Sequence, residues 1–80
     1  MLSQDRQNRV RWRCRRGMLE NDLVLTRFLD ARVATLTDAE LAQLDSLLDL
    51  SDNELWDLIA GRTEPAERAV LPLLQELRSV

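Results

Sequence analysis

Apolar residues recur along most of this chain at steps of three and four. Leu25, Phe28, Leu29 and Val33 make one such set, and Leu41, Leu44, Leu47 and Leu48 a second. Leu55, Leu58 and Ile59 make a third, with Trp56 at the side, and Val70, Leu73, Leu74 and Leu77 a fourth. That period places side chains on one face of an α-helix. An earlier helix, from about Gln7 to Arg16, has a thinner seam of Val10, Cys14 and Gly17 or Met18. The helix after Gly17 runs to about Arg32, with Leu19 and Leu23 extending its apolar surface and Ala34-Thr35 as its exit. Apolar and polar residues never alternate in the manner of a strand, and seventeen leucines stand against one isoleucine and five valines. The pattern predicts an all-α fold, a compact bundle of about five short helices around a leucine core.

Helix ends are marked by residue type. Thr37 with Glu40, flanked by Leu36 and Leu41, reads as a capping box with its hydrophobic staple. Ser51 with Glu54, flanked by Leu50 and Leu55, repeats the device. Gly61 ends the fourth helix. Pro72 interrupts the last apolar set. Either a short turn after Pro65 leads into a helix beginning near Leu71, where proline is tolerated in the first turn, or one helix from Ala66 is kinked. Acidic residues Asp38, Glu40, Asp52 and Glu54 fall in first turns, where the helix dipole favours them.

The chain has 80 residues, enough for a single domain, residues 1–80, with residues 1–5 expected to be disordered. Its one cysteine excludes an internal disulfide. Cys14 stands among arginines that would lower its pKa, but on the Val10 face it more often packs as a small buried side chain. No apolar run reaches the roughly 18–20 residues of a membrane span and no secretory signal is visible, so a cytoplasmic protein is expected. Histidine and tyrosine are absent, only two glycines occur, and no metal-ligand spacing is present. These absences point away from an enzyme, with no catalytic or metal-binding residue to nominate.

Charge is unevenly placed. Residues 1–16 hold six arginines and one aspartate, net +5. Residues 17–80 hold five arginines and thirteen acids, net −8, giving −3 for the whole. The basic part is dense: Arg9, Arg11, Arg13, Arg15 and Arg16 surround Trp12 and Cys14 before Gly17. Arginine and tryptophan are enriched where a few residues dominate an interface. Arg15-Arg16-Gly17-x-x-Glu20 also suits a plain helix–glycine–helix junction, with basic residues at one helix end and an acid at the next helix start. Trp12 between two arginines is what the plain junction does not explain. A basic arm can bind nucleic acid, but the acidic body would repel a phosphate backbone. A polarised surface steers an oppositely charged protein equally well.

Trp12, Cys14-Arg15-Arg16-Gly17-Met18, Glu20 and Asp22 together resemble the SdhE family, bacterial counterparts of succinate dehydrogenase assembly factor 2. The family hallmark Arg-Gly-x-x-Glu matches Arg16, Gly17 and Glu20. The likeness continues through Phe28-Leu29-Asp30, Leu36-Thr37-Asp38-x-Glu40, Leu47-Leu48 and Asp52-x-Glu54-Leu55 to Gly61, and covers roughly residues 9–78. Asn21 departs from a usual leucine, where it would alter the local contact surface, and Asn53 from a frequent proline. The resemblance implies a compact five-helix protein that binds the flavoprotein subunit of succinate dehydrogenase, and often of fumarate reductase, and assists covalent attachment of FAD there. It implies partner binding by Arg16, Gly17 and Glu20, extended by Arg9, Trp12, Arg15, Met18 and Asp22. FAD would be held by the partner and none bound tightly by this chain, which is expected to be a monomer that neither enters membranes nor binds nucleic acid. The alternatives are a helical regulatory or nucleic-acid-binding module, or an antitoxin-type partner of a small toxin, a label some family members have carried.

Overall fold

The computed structural model describes residues 2–80. Its helices are α1 (Gln4–Arg13), α2 (Leu19–Arg32), α3 (Asp38–Leu48), α4 (Asp52–Ile59) and α5 (Leu71–Ser79). Single 3₁₀ turns, Val33–Thr35 and Arg68–Val70, precede α3 and α5. No strand occurs among the described residues. The all-α expectation and the four apolar sets hold. Leu25, Phe28 and Leu29 from α2 meet Leu44 and Leu47 from α3, Leu55 and Leu58 from α4, and Leu73, Leu74 and Leu77 from α5 in one core. Each buried leucine contributes about 1.5–3 kcal/mol relative to exposure.

Both expected capping boxes form. The Thr37 hydroxyl accepts from the Glu40 N–H at 3.1 Å while the Glu40 carboxylate accepts from the Thr37 N–H at 3.0 Å. Ser51 and Glu54 do the same at 3.2 and 3.3 Å. Gly61 has φ +80°, and behind it the Arg62 N–H reaches the Asp57 carbonyl at 2.8 Å and the Gly61 N–H the Leu58 carbonyl at 3.1 Å. This is a Schellman ending, and the left-handed residue it requires is why glycine stands there. Pro72 lies in the first turn of α5 after the Arg68–Val70 turn, so the first of its two readings holds and no kink is needed.

The N-terminal end differs from expectation. Helix α1 begins three residues earlier than the pattern suggested and ends three earlier. Ser3 caps it, its hydroxyl accepting from the Arg6 N–H at 3.3 Å. Leu2 is buried, and its N–H reaches the Ala34 carbonyl at 3.4 Å, so residues 2–5 are tied to the fold. Met1 lies outside the described residues. Arg15 and Arg16 leave the helix, and the cause lies in what Arg16 binds.

Candidate functional site

Residues 12–23 cover the end of α1, the turn at 14–18 and the start of α2, and Arg16 sets the geometry of that turn. Its guanidinium donates from Nε to Asp52 Oδ1 at 2.8 Å, from Nη1 to the Leu48 carbonyl at 2.9 Å and from Nη2 to the Leu50 carbonyl at 2.6 Å. Leu48 and Leu50 are at the end of α3, where carbonyls lack helical partners, and Asp52 opens α4. One arginine thus closes one helix and pins the start of the next. Its side chain is only 14% exposed. The expectation that Arg16 faces outward is corrected: a planar five-donor fork satisfies three acceptors inside the protein.

Asp52 is the second half of the device. Helix α2 begins at Leu19 with Met18 at its N-cap, and Met18 offers no side-chain oxygen to cap it. Asp52 does so from a distance, Oδ2 accepting from the Met18 N–H at 3.2 Å. Asn21 Nδ2 donates to Asp52 Oδ1 at 3.2 Å and to the Asp52 carbonyl at 2.9 Å. Arg16 first, then Asn21 and the Met18 N–H, hold the Asp52 carboxyl below the usual carboxylate range. Asn21 is fully buried and its Oδ1 has no partner. It shapes the inside of the junction, where the resemblance had set it as a change to the contact surface. Asp22 adds a further tie, its Oδ1 accepting from the Arg16 N–H at 3.3 Å.

Gly17 is exposed, and its backbone is not left-handed, since Gly61 has the sole positive φ among the described residues. A Cβ at Gly17 would lie 3.6 Å from Asp52 Oδ2, an ordinary contact. The left-handed glycine with which a plain helix–glycine junction commonly ends is therefore not found at Gly17. Glu20 occupies the first turn of α2, exposed, with no ion pair or side-chain hydrogen bond among the described residues. Trp12 is 76% exposed, and Met18 is half-buried.

The arginine helix is more self-contained than its composition suggested. Arg6 pairs with Asp38 at 3.2 Å, Arg11 with Asp30 at 3.0 Å, and Arg13 with Asp45 and, at 3.5 Å, Asp49. With Arg16 on Asp52, four of the six basic residues before Gly17 meet acids of this chain. Arg9 and Arg15, exposed and without an ion pair among the described residues, remain available. Cys14 is buried, and burial pushes its thiol up to about 11 despite the nearby arginines. Desolvation outweighs their attraction, so the reactive reading is excluded in favour of packing.

Leu19 and Leu23 were placed with the apolar surface of α2, but they are 63% and 46% exposed. At 100° per residue they lie well away from the Leu25–Phe28–Leu29 face, on a stripe shared with Asp30. Asp30 meets Arg11 of α1, so that stripe borders α1. A helical wheel drawn on Leu25 would have found them; counting apolar residues at steps of four did not. Trp12, Leu19 and Leu23 are three of the four large apolar residues with the greatest exposure, the fourth being Val80 at the chain end.

The fold and these side chains define a small all-α protein that displays apolar and charged residues around an internally braced helix junction. Residues 8–80 match the Sdh5 family, described as "Flavinator of succinate dehydrogenase". The chain belongs to that family. It is 39% identical over 75 residues to the FAD assembly factor SdhE of Ralstonia nicotianae, covering 94% of this chain and 79% of that one. It is also 39% identical over 72 residues to the protein of that name from Legionella pneumophila (strain Lens), covering 90% of each. The namesake from Coxiella burnetii is 33% identical over 72 residues, covering 90% of this chain and 88% of the other. No solved structure gives a significant match. No helix among the described residues is long and apolar enough to cross a membrane.

Proposed function

We propose that this protein is an assembly factor that binds the flavoprotein subunit of succinate dehydrogenase, and of fumarate reductase, and promotes covalent attachment of FAD to that subunit. Family membership over residues 8–80 carries the reading, and the shared name of the curated relatives supports it. In this reading the chain is not an enzyme. It acts as a monomer in the cytoplasm, and the flavin and its acceptor side chain both belong to the partner. Holding two reacting groups in alignment can lower a barrier by about 7–11 kcal/mol in favourable cases, which a rigid binding surface can supply without chemistry of its own.

The contact surface consists of Trp12, Leu19, Leu23 and Glu20, with Arg9, Arg15, Gly17 and Met18 beside them. Trp12 and the two leucines give the apolar anchors from which interfaces draw most of their energy, and Glu20 meets a basic group of the partner. Arg16 and Asp22 are positioning residues that fix the turn presenting this surface. A cleft of about 360 Å³ is lined by four acids and no base, a poor match for a pyrophosphate. The pairing of Arg6, Arg11, Arg13 and Arg16 with internal acids weakens the nucleic-acid alternative, because those charges are already engaged.

Deleting the gene and measuring in-gel flavin fluorescence of the succinate dehydrogenase flavoprotein tests the proposal. Fluorescence should fall and return with the wild-type gene, and should not return with Leu19→Ser/Leu23→Ser. Unchanged fluorescence in the deletion strain would refute the reading.

A further inference from the structure

Residues of α3, α4 and the segment 63–70 line the cleft of about 360 Å³, with none of the above contact residues in its lining. Leu47, Leu58 and Val70 are buried beneath it, and half-buried Leu50 and Pro65 add apolar surface. Every charged residue lining it is acidic: Glu54, Asp57, Glu64 and Glu67. Asp57 has Arg62 at 3.3 Å, an exposed pair. Among the described residues Glu54 is engaged only in its capping box, and Glu64 and Glu67 make no ion pair.

We propose that this cleft is a second protein-docking site, which takes a short segment presenting one large apolar side chain flanked by arginine or lysine. Apolar surface ringed by acids selects that chemistry. The apolar group is drawn in by burial, while the surrounding carboxylates attract cations and repel anionic ligands. The volume is at the small end of ligand pockets, about 300–1,000 Å³, which suits one or two side chains. The alternative occupant is a second copy of this chain, whose exposed Trp12 has Arg9, without an ion pair among the described residues, one turn before it on α1; the test below separates the two. The proposal is independent of the flavoprotein reading, since it rests on the cleft alone.

The test uses the full chain and an acetylated, amidated peptide of sequence Gly-Arg-Arg-Leu-Arg-Arg-Gly, followed by ¹⁵N–¹H correlation spectra. Saturable shifts are expected at Leu47, Leu58, Glu64 and Val70. Replacing the peptide's leucine by serine, or Glu64→Lys with Glu67→Lys in the protein, should weaken binding about tenfold. Both glutamates are exposed, so the double variant should keep its fold, which its own spectrum verifies. The proposal is overturned if no saturable shifts appear, if the serine peptide binds as well as the leucine peptide, or if the shifts centre on Trp12 and Glu20. Self-association that fills the cleft and is lost in Trp12→Ala would also overturn it, by making a second copy the occupant.

Discussion

Arg16→Ala should destabilise the fold, although the resemblance alone casts Arg16 as a contact residue whose loss leaves folding nearly intact. The guanidinium donates to two carbonyls at the end of α3 and to Asp52. Hydrogen bonds from a charged donor contribute about 1.5–3 kcal/mol each. After truncation the Leu48 and Leu50 carbonyls can recruit some water, so the low end applies and the two together give about 3 kcal/mol. Total stability for a domain of this length is about 4–12 kcal/mol, and each kcal/mol moves the melting point by about 4–8 °C. The variant should therefore melt roughly 10 °C or more below wild type when followed by circular dichroism at 222 nm, with a parallel fall in the urea midpoint. Arg15→Ala is the matched control, one residue away, exposed and unpaired, and should melt close to wild type. Arg16→Lys should fall between, because one ammonium cannot span a carboxylate and two carbonyls in that fork geometry. If Arg16→Ala melts within about 2 °C of wild type, the guanidinium is not bracing the junction and the assignment of Arg16 as a positioning residue fails.

Glu20→Ala should melt near wild type yet lose about 2 kcal/mol or more of flavoprotein affinity by calorimetry; equal losses of both would make Glu20 structural. Gly17→Ala should fold normally, since the backbone there is not left-handed and the new Cβ meets Asp52 at an ordinary distance, so a melting point well below wild type would contradict the geometry. Cys14 should resist thiol reagents at pH 8 until the protein is unfolded by urea, its thiol being buried and pushed up to about 11; rapid modification of the native state would show the site to be open. Stability should be level near neutrality and fall in acid. Asp52 and Glu40 are held below the ordinary carboxylate range in the folded state, so their contribution is complete above the unfolded pKa near 4 and is lost as pH drops through the lowered values. A urea midpoint unchanged from pH 6 to pH 2.5 would count against both networks.

Much of the fold is written locally. The capping boxes at Thr37 and Ser51, the Schellman glycine at Gly61 and the apolar sets of α2 to α5 each depend on residues within a turn or two, and each was legible. What was not legible depends on partners far away in the chain. Arg16 meets Leu48, Leu50 and Asp52, more than thirty residues on. Residue type alone cannot say whether an arginine beside a glycine reaches out or back. The start of α1 was misplaced because Ser3 sits among residues without an apolar period, and because the burial of Leu2 rests on a contact with Ala34. Leu19 and Leu23 were misassigned for another reason: their spacing is helical, but their phase differs from that of the core.

The hallmark Arg16-Gly17-x-x-Glu20 then combines two kinds of constraint in five residues. Arg16 points into the α3–α4 corner and Glu20 points to solvent, with the exposed Gly17 between them. The same carboxylate that receives Arg16 also accepts the N–H of Met18 at the head of α2. Displacing Asp52 would therefore loosen both the brace and the helix start from which Leu19, Glu20 and Leu23 project. If the proposed contact surface is right, activity measurements alone would score Arg16 and Glu20 as equivalent, because loss of either removes that surface. Stability measurements separate them, since only Arg16 carries acceptors from two other elements. A variant such as Asp52→Asn tests the coupling from the opposite side. It leaves every exposed contact residue in place but weakens the bond to Arg16, so it should lower both the melting point and flavoprotein affinity. If affinity falls while the melting point holds, Asp52 itself meets the partner, and the division between brace and surface is drawn in the wrong place.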